Sequence, residues 1–118
     1  MIIKGVVIHG AELGRKLGFP TANLDATGIN IANGVYFSKV EIDGNKYKAM
    51  TNIGIRPSVD GNCRLLEAHI FDYEGTLYDK EIKVELLSKL RDEQRFNSIT
   101  ELQEQLQRDA AKCYSMEE

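Results

Sequence analysis

The 118-residue sequence contains little cysteine and no long apolar run, and each shortage excludes a class of protein. Its two cysteines, Cys63 and Cys113, form no CxxC pair and lack the spacing of zinc ligands, so we expect free thiols in a reducing compartment. The N-terminal segment MIIKGVVIHG is too short an apolar run for a signal peptide, and no segment approaches membrane-spanning length. We therefore expect a cytoplasmic protein without a membrane partner.

Basic residues are not in surplus either. The sequence has 15 lysines and arginines against 18 aspartates and glutamates, a net charge of -3, whereas general nucleic-acid binders are usually basic. We therefore expect no nucleic-acid partner.

A chain of this length can form one domain with its own core, and no linker or repeat interrupts it. We expect a single domain over residues 1–118 and a monomer.

Alternation of polar and apolar residues through most of the chain predicts β-strands. In the segment 34–43, for example, Tyr36, Val40 and Ile42 share one parity, and Asp43-Gly44 is a hairpin turn signal. The predicted strands are 2–9, 34–43, 45–53, 63–73 and 81–87, with loops at about 10–33 and at 54–62, which contains Pro57. Because strands do not alternate with helices, this order predicts an antiparallel barrel or sandwich and not a doubly wound fold.

The C-terminal part of the chain has the pattern of an amphipathic helix over about 98–113. Ser98 and Glu101 have the spacing of a capping box, in which each side chain accepts a hydrogen bond from a backbone N–H group. Apolar residues follow at helical spacing, and we interpret this stripe as core packing against the sheet and not as a ligand site. The stripe consists of Ile99, Leu102, Leu106 and Ala110, with Cys113 one turn further.

The segment GRKLGFPTANL, residues 14–24, combines features that suit a polyphosphate bound with a divalent metal. Backbone N–H groups can approach phosphate oxygens where side chains are absent, cations offset the charge, and Mg²⁺ prefers oxygen ligands. The spacing matches neither a Walker A loop nor the dinucleotide fingerprint, and a basic turn without a ligand is the alternative. The residues concerned are the glycines Gly10, Gly14 and Gly18, the cations Arg15 and Lys16, and the oxygen-bearing Thr21 and Asn23.

Glu67 lies in the middle of the predicted strand 63–73, on the parity of Leu65, His69 and Phe71. A carboxylate held by a rigid strand beside apolar residues suits a general base. The alternative is an ordinary glutamate on a solvent-exposed face. For His69 no second metal ligand stands at a suitable spacing, so we expect a structural role.

The segment LRDEQRF, residues 90–96, combines Arg91 and Arg95 with Phe96. Cations next to an aromatic ring suit stacking on a flat ligand, and a solvated connection is the alternative.

The segment NIGIRP, residues 52–57, is interpreted as a turn, although Asn52 could also help to hold the long first loop. No serine–histidine–aspartate order, zinc spacing or pair of carboxylates rises above chance. Nucleophilic and metal-hydrolytic chemistry are therefore not expected.

Taken in order, these segments resemble the riboflavin kinase (flavokinase) family, in particular the kinase module of bacterial bifunctional riboflavin kinase/FAD synthetases. The resemblance covers nearly the whole chain and is most specific in PTAN and in the LRxExxF pattern. The matching stretches are VVIHG, GRKLGFPTANL, GVYFSKV, TNIGIRPS, LLEAHIFDYEGTLYDKEIKVELLSKLRDEQRFNS and the terminal helix through about Ala111.

The resemblance implies an ATP-dependent kinase that phosphorylates the 5′-hydroxyl of the riboflavin ribityl chain, giving FMN and ADP. It implies a mainly β fold, a small Greek-key antiparallel barrel of about six strands over about 1–90 followed by the C-terminal helix. It also implies Mg²⁺, or another divalent cation, at Thr21 and Asn23 and a general base at Glu67. The residues implied for ATP are Gly10, Arg15, Thr21, Asn23, Ile70, Asp72 and Tyr78, and those for the flavin are Arg91, Gln94 and Phe96.

A second interpretation stays open, in which the same barrel is a catalytically weak module that binds riboflavin or FMN for regulation. The intact set of Thr21, Asn23 and Glu67 favours the enzyme, because a binding module needs no base. Gln94 stands where the family often has lysine. Many bacterial relatives add an N-terminal adenylyltransferase domain that makes FAD; because this sequence begins at the first strand of the kinase module, we do not expect FAD synthesis from it.

Overall fold

Six β-strands and one helix make up the computed structural model, which describes residues 1–8, 19–58 and 61–116. The strands are β1 (Ile2–Val6), β2 (Thr21–Asp25), β3 (Gly34–Ile42), β4 (Asn45–Ser58), β5 (Gly61–Ile70) and β6 (Glu81–Arg91), and the helix is α1 (Ile99–Ser115). No helix in these ranges is long and apolar enough to cross a membrane.

The strands form one sheet in the order β1-β6-β3-β4-β5-β2, and every pairing is antiparallel. Strands β3, β4 and β5 follow one another as hairpins, while β6 returns beside β3, which is the Greek-key arrangement. The two outer strands approach each other where the Ile8 N–H donates to the Asn23 carbonyl oxygen at 2.8 Å. This bridge nearly closes the sheet into a barrel, so the predicted fold class is confirmed.

Two stretches predicted as loops are strands. The first, Thr21–Asp25, lies inside the predicted loop 10–33, and its Ala22 and Leu24 are buried in the barrel. The strand was missed because it is short and directly follows Pro20 and several glycines.

The second is the segment 54–58, which belongs to β4 and pairs with β5 as far as Ser58 opposite Gly61. The prediction failed here because Pro57 was taken to end the strand. Since β3 pairs with β4 only as far as Ile53, no described strand pairs with this edge of β4 beyond that residue, and proline is tolerated at such an edge.

The two faces of the sheet carry separate cores. The inner face fills the barrel and includes Leu66, Ala68 and Ile70 of β5, as their shared parity predicted. The outer face packs against α1 through apolar side chains of the strands and of the helix. This outer core contains Val35, Phe37, Met50, Phe71, Leu106, Ala110 and Cys113.

The start of α1 has the predicted capping box. The Glu101 N–H donates to Ser98 Oγ at 3.2 Å, and the Asn97 N–H donates to Glu101 Oε2 at 3.1 Å. Leu106, Ala110 and Cys113 are buried as predicted, whereas Ile99 is 60% exposed. Burial raises the pKa of the Cys113 thiol to about 12, so it stays protonated in the core.

An ion pair holds α1 to the end of β6. Arg91 donates from Nε and Nη2 to Asp109 Oδ2 at 3.0 and 2.7 Å, and the Asp109 side chain is 7% exposed. Gln105 adds a hydrogen bond to Asp109 Oδ1 at 3.0 Å. This geometry fixes the angle at which the helix leaves the barrel.

We expect Asp109→Ala to lower the free energy of unfolding by ~3 kcal/mol, because it leaves a partly buried guanidinium without its counter-charge. Urea unfolding followed by circular dichroism measures this change. Asp92→Ala removes an exposed carboxylate that pairs with Lys89 and should leave stability nearly unchanged. Equal effects of the two substitutions would contradict the role given to Asp109.

Candidate functional site

Polar side chains from three adjacent strands lie in one row on the outer face of the barrel. In antiparallel pairs, residues directly opposite each other share a face of the sheet. Glu67 on β5 stands opposite Asn23 on β2 and opposite Asn52 on β4, and His69 stands opposite Thr21. The register therefore brings Thr21 and Asn23 of the PTAN motif to the same face as Glu67. In the sequence Glu67 follows them by 46 and 44 residues, respectively.

A pocket of about 550 Å³ opens beside this row, between the barrel and the start of α1. Its walls differ in character, since the strands contribute charged and polar groups and the helix contributes apolar ones. The strand residues that line it are Asn52, Arg56, Glu67, His69 and Arg91; the segment 92–98 and α1 add Glu93, Gln94, Phe96, Ser98, Ile99, Leu102 and Leu106.

Glu67 is 5% exposed, so the interpretation as a solvent-facing glutamate is wrong. Arg56 donates to Glu67 Oε1 from Nε and from Nη2, each at 2.9 Å. Among the described residues, Oε2 has no such partner. Burial raises the pKa of Glu67, and the attraction of Arg56 offsets only part of that rise.

Arg56 also reaches a second carboxylate, because its Nη1 donates to Glu93 Oε1 at 3.0 Å. The close approach requires a glycine on the same face two residues earlier. A Cβ atom at Gly54 would lie 1.9 Å from Glu93 Oε1 and 2.7 Å from Arg56 Nη1. Glycine at this position therefore leaves the space in which Glu93 meets Arg56.

His69 links the pocket to β2 through its Nδ1, which lies 3.1 Å from Thr21 Oγ1. The ring is 3% exposed. Burial, with a smaller effect of the Arg56 charge, lowers the pKa of His69 to about 4. The imidazole is therefore neutral at physiological pH, in keeping with a structural role and not a cationic one.

The oxygen atoms of β2 fit a hard divalent cation. Asn23 Oδ1 is buried and has no hydrogen-bond partner among the described residues, and a buried acceptor of this kind is costly unless something binds it. The part of the chain that the structure describes holds no group of three or more His, Cys, Asp or Glu side chains that could bind a metal. A cation here would rely on neutral oxygens and on its substrate, as Mg²⁺ with phosphates does.

A second pocket, of about 530 Å³, lies on the other side of Thr21. Thr21 lines this pocket and contacts His69, which lines the first pocket. The two pockets thus meet at the Thr21–His69 contact. The second pocket is lined by Phe19, Pro20, Thr21, Gly75, Thr76, Leu77 and Tyr78.

The residues predicted for the flavin lie together, since Arg91, Gln94 and Phe96 all line the first pocket. The stripe of α1 was interpreted as core packing; its first residues, Ile99, Leu102 and Leu106, also line this pocket. These side chains serve both as packing and as a pocket wall.

The residues predicted for the nucleotide are more dispersed. Tyr78 lines the second pocket, whereas the Ile70 side chain is buried inside the barrel. Asp72 lies elsewhere and accepts a hydrogen bond from Tyr114 Oη at 2.9 Å. Gly10 and Arg15 lie outside the described residues.

Arg56 and Asn52 were missed as site residues because NIGIRP was interpreted as a turn. In β4 they lie on the same face as Gly54, toward the pocket, and Asn52 Oδ1 is a second buried acceptor without a partner among the described residues. Their alternate spacing was the signal that a strand interpretation would have used.

A family model described as "Flavokinase: Riboflavin kinase" matches residues 1–116. The chain therefore belongs to the riboflavin kinase family, which confirms the resemblance carried by its motifs.

Individual proteins give the same result. The chain is 42% identical over 116 residues to the bifunctional riboflavin kinase/FMN adenylyltransferase of Pseudomonas fluorescens, covering 97% of this chain and 37% of that protein. It is 40% identical over 109 residues to the RNA-binding riboflavin kinase RibR of Bacillus subtilis, covering 92% and 47%. A solved structure described as a macrolide-efflux protein from Streptococcus pneumoniae superposes with a TM-score of 0.82 at 36% identity, covering 98% and 39%. The chain spans less than half the length of each of these proteins.

We expect His69 to make folding sensitive to mild acid. Its pKa is about 4 in the folded protein and near 6.5 when exposed, so the unfolded chain takes up a proton that the folded chain cannot. Stability is therefore lost as the pH falls from about 6.5 to 4, by ~3 kcal/mol from this group.

Urea unfolding of the wild type and of His69→Asn at a series of pH values measures the effect as a difference between the two proteins, which cancels the other acidic groups. Parallel stability curves would contradict the assignment. In NMR spectra the His69 ring should remain neutral at pH 5.

Proposed function

We propose that this chain transfers the γ-phosphoryl group of ATP to the 5′-hydroxyl of the riboflavin ribityl chain, giving FMN and ADP. The observation that carries the proposal is the position of Glu67 at a ligand-sized pocket and near a second one. This carboxylate is buried, and one of its oxygens has no partner among the described residues. Membership in the riboflavin kinase family supports the substrate and the reaction.

The first pocket suits the flavin. Phe96 and the apolar residues of α1 offer a surface for the flat isoalloxazine ring, as expected of small-molecule sites. Arg91 and Gln94 supply donors near that surface, and Asn52 Oδ1, which has no partner among the described residues, can accept a hydrogen bond from a ribityl hydroxyl. With the ring held against Phe96 and α1, the ribityl chain would run along the polar strand wall toward Glu67.

The second pocket suits the nucleotide. Tyr78 and Leu77 provide contacts for the adenosine, and Thr21 stands at the end that faces the first pocket. We retain Gly10 and Arg15 as phosphate contacts and Ile70 and Asp72 as residues at the edge of the adenosine site, on the resemblance alone. Thr21 and Asn23 would hold Mg²⁺, which when bound neutralises charge on the phosphates of ATP.

In the reaction, Glu67 Oε2 accepts the proton of the 5′-hydroxyl as the hydroxyl oxygen bonds to the γ-phosphorus. The bond between that phosphorus and the β–γ bridging oxygen breaks, and ADP leaves with the electron pair. Phosphoryl transfer demands mainly positioning and charge neutralisation from the protein, so one oriented carboxylate suffices as base. The neutral His69 fixes Thr21 without adding a charge beside it.

We further propose that the chain acts as a monomer in the cytoplasm, with riboflavin and ATP as its partners. Its two cysteines are free thiols, as a reducing compartment allows. The net charge of -3 supports the absence of a nucleic-acid partner, although one relative is named for RNA binding.

Incubation of the purified chain with riboflavin, ATP and MgCl₂, followed by chromatography for FMN and ADP, tests the proposal. The enzyme should form the two products in equal amounts. Tight FMN binding without turnover would favour the alternative, a regulatory module that binds flavin.

We expect Glu67→Gln to lower kcat by about 1,000-fold, because general-base catalysis contributes on that order. Binding of riboflavin and of ATP should change little, since glutamine keeps the shape of the side chain. Fluorescence titration and steady-state kinetics measure the two effects. Glu81→Gln on the exposed end of β6 is the matched control and should behave as wild type; normal turnover by Glu67→Gln would refute the base assignment.

Asn23→Ala and Asn52→Ala serve as controls for each other, because the two residues flank Glu67 from the two strands on either side of β5. We expect Asn23→Ala to raise the KM for Mg-ATP about tenfold with little effect on riboflavin, and Asn52→Ala to do the reverse. Raising the Mg²⁺ concentration should lower the raised KM of Asn23→Ala but should not change that of Asn52→Ala. The same pattern in both variants would contradict a metal role for Asn23.

A further inference from the structure

Arg56 is held between two carboxylates that come from distant parts of the chain. Its Nε and Nη2 each lie 2.9 Å from Glu67 Oε1, and its Nη1 lies 3.0 Å from Glu93 Oε1. Glu67 belongs to the central strand β5, whereas Glu93 belongs to the segment 92–98 between β6 and α1. A planar guanidinium with donors in a fixed fork can hold both carboxylates at once.

The first contact determines which oxygen of Glu67 is available. Both Arg56 donors meet Oε1, which holds that oxygen in place, and Oε2, which has no partner among the described residues, is left for the 5′-hydroxyl. An amine such as lysine, which donates from a single atom, could not impose that orientation.

The second contact reaches the flavin side of the pocket. Glu93 is followed by Gln94 and precedes Phe96 by three residues, and these two residues line the pocket wall where we propose the flavin binds. The Glu93 side chain is 33% exposed, whereas that of Glu67 is 6% exposed, so Glu93 is the end of the link that a ligand or solvent can reach. A ligand that contacts Gln94 and Phe96 therefore acts on the same segment that holds Arg56.

We infer that Arg56 is a positioning residue that orients the Glu67 carboxylate and, through Glu93, ties this orientation to the segment that contacts the flavin. The inference rests on the proposed function. The base would then be aligned best when riboflavin holds the segment 92–98 in place, which favours transfer to the flavin hydroxyl over transfer to water.

The test compares Arg56→Gln, Glu93→Gln and the double variant with wild type. We expect Arg56→Gln to lower kcat about 100-fold, because misplacing a reacting group by an ångström costs on that order. Glu93→Gln should lower kcat about fivefold in the wild-type background and not at all in the Arg56→Gln background, because Glu93 acts only through Arg56. The KM for ATP should stay within about twofold, because neither residue lines the second pocket, where we propose that ATP binds.

Glu81→Gln is the control, since this carboxylate lies at the opposite end of β6, pairs with Lys4 and lines neither pocket. It should leave kcat unchanged. Because Arg56→Gln leaves a buried carboxylate unpaired and could unfold the protein, Arg56→Lys provides a second variant that keeps the charge. It should fold, as judged by circular dichroism, and still lose at least tenfold in kcat.

Several results would overturn the inference while leaving the proposed kinase intact. These are independent effects of Arg56→Gln and Glu93→Gln on kcat, wild-type turnover by Arg56→Lys, or a rise in the KM for ATP as large as the loss in kcat, which would make Arg56 a phosphate ligand. Absence of FMN formation by the wild-type chain would instead refute the proposed function itself.

Discussion

The register of β5 between its two neighbours decides which side chains can meet on the outer face of the barrel. Because Glu67 stands opposite both Asn23 and Asn52, a shift of one residue in either pairing would turn one of these amides toward the barrel interior. The inner face makes such a shift costly, since Ala22, Leu66 and Ile53 would then leave the core. Apolar packing on one side of the sheet thus holds the polar row on the other.

The outer face of the sheet also supplies what allows a carboxylate to be buried at the site. Burying a charge is unfavourable unless a partner compensates for it, and Arg56 on the adjacent strand supplies that partner for Glu67. The helix forms the opposite wall and depends on a second ion pair, between Arg91 and Asp109. One arginine therefore serves the chemistry of the strand wall, and another holds the helical wall against it.

Much of this arrangement could be predicted from local sequence patterns. The alternation of side chains along β5 predicted that Leu66 and Glu67 lie on opposite faces of the sheet. The capping box located the start of α1. Patterns failed where tertiary structure overrides a local signal. Pro57 signals a turn, yet it lies in β4 beyond the part that pairs with β3, and Gly54 looks like a turn glycine although it makes room for Glu93. The partner of Glu67 could not be predicted either, because pairing Arg56 with a residue of another strand requires the register.

The two ends of the sheet approach each other at the place where the chemistry is proposed. The bridge from Ile8 to Asn23 joins the two ends of the sheet, and the side chain of that same Asn23 carries a buried oxygen without a partner among the described residues. A ligand that binds this oxygen would also stabilise the Ile8–Asn23 bridge, so ligand binding and closure of the sheet become linked equilibria. Exchange of the Ile8 amide hydrogen with solvent would then become slower when a ligand binds.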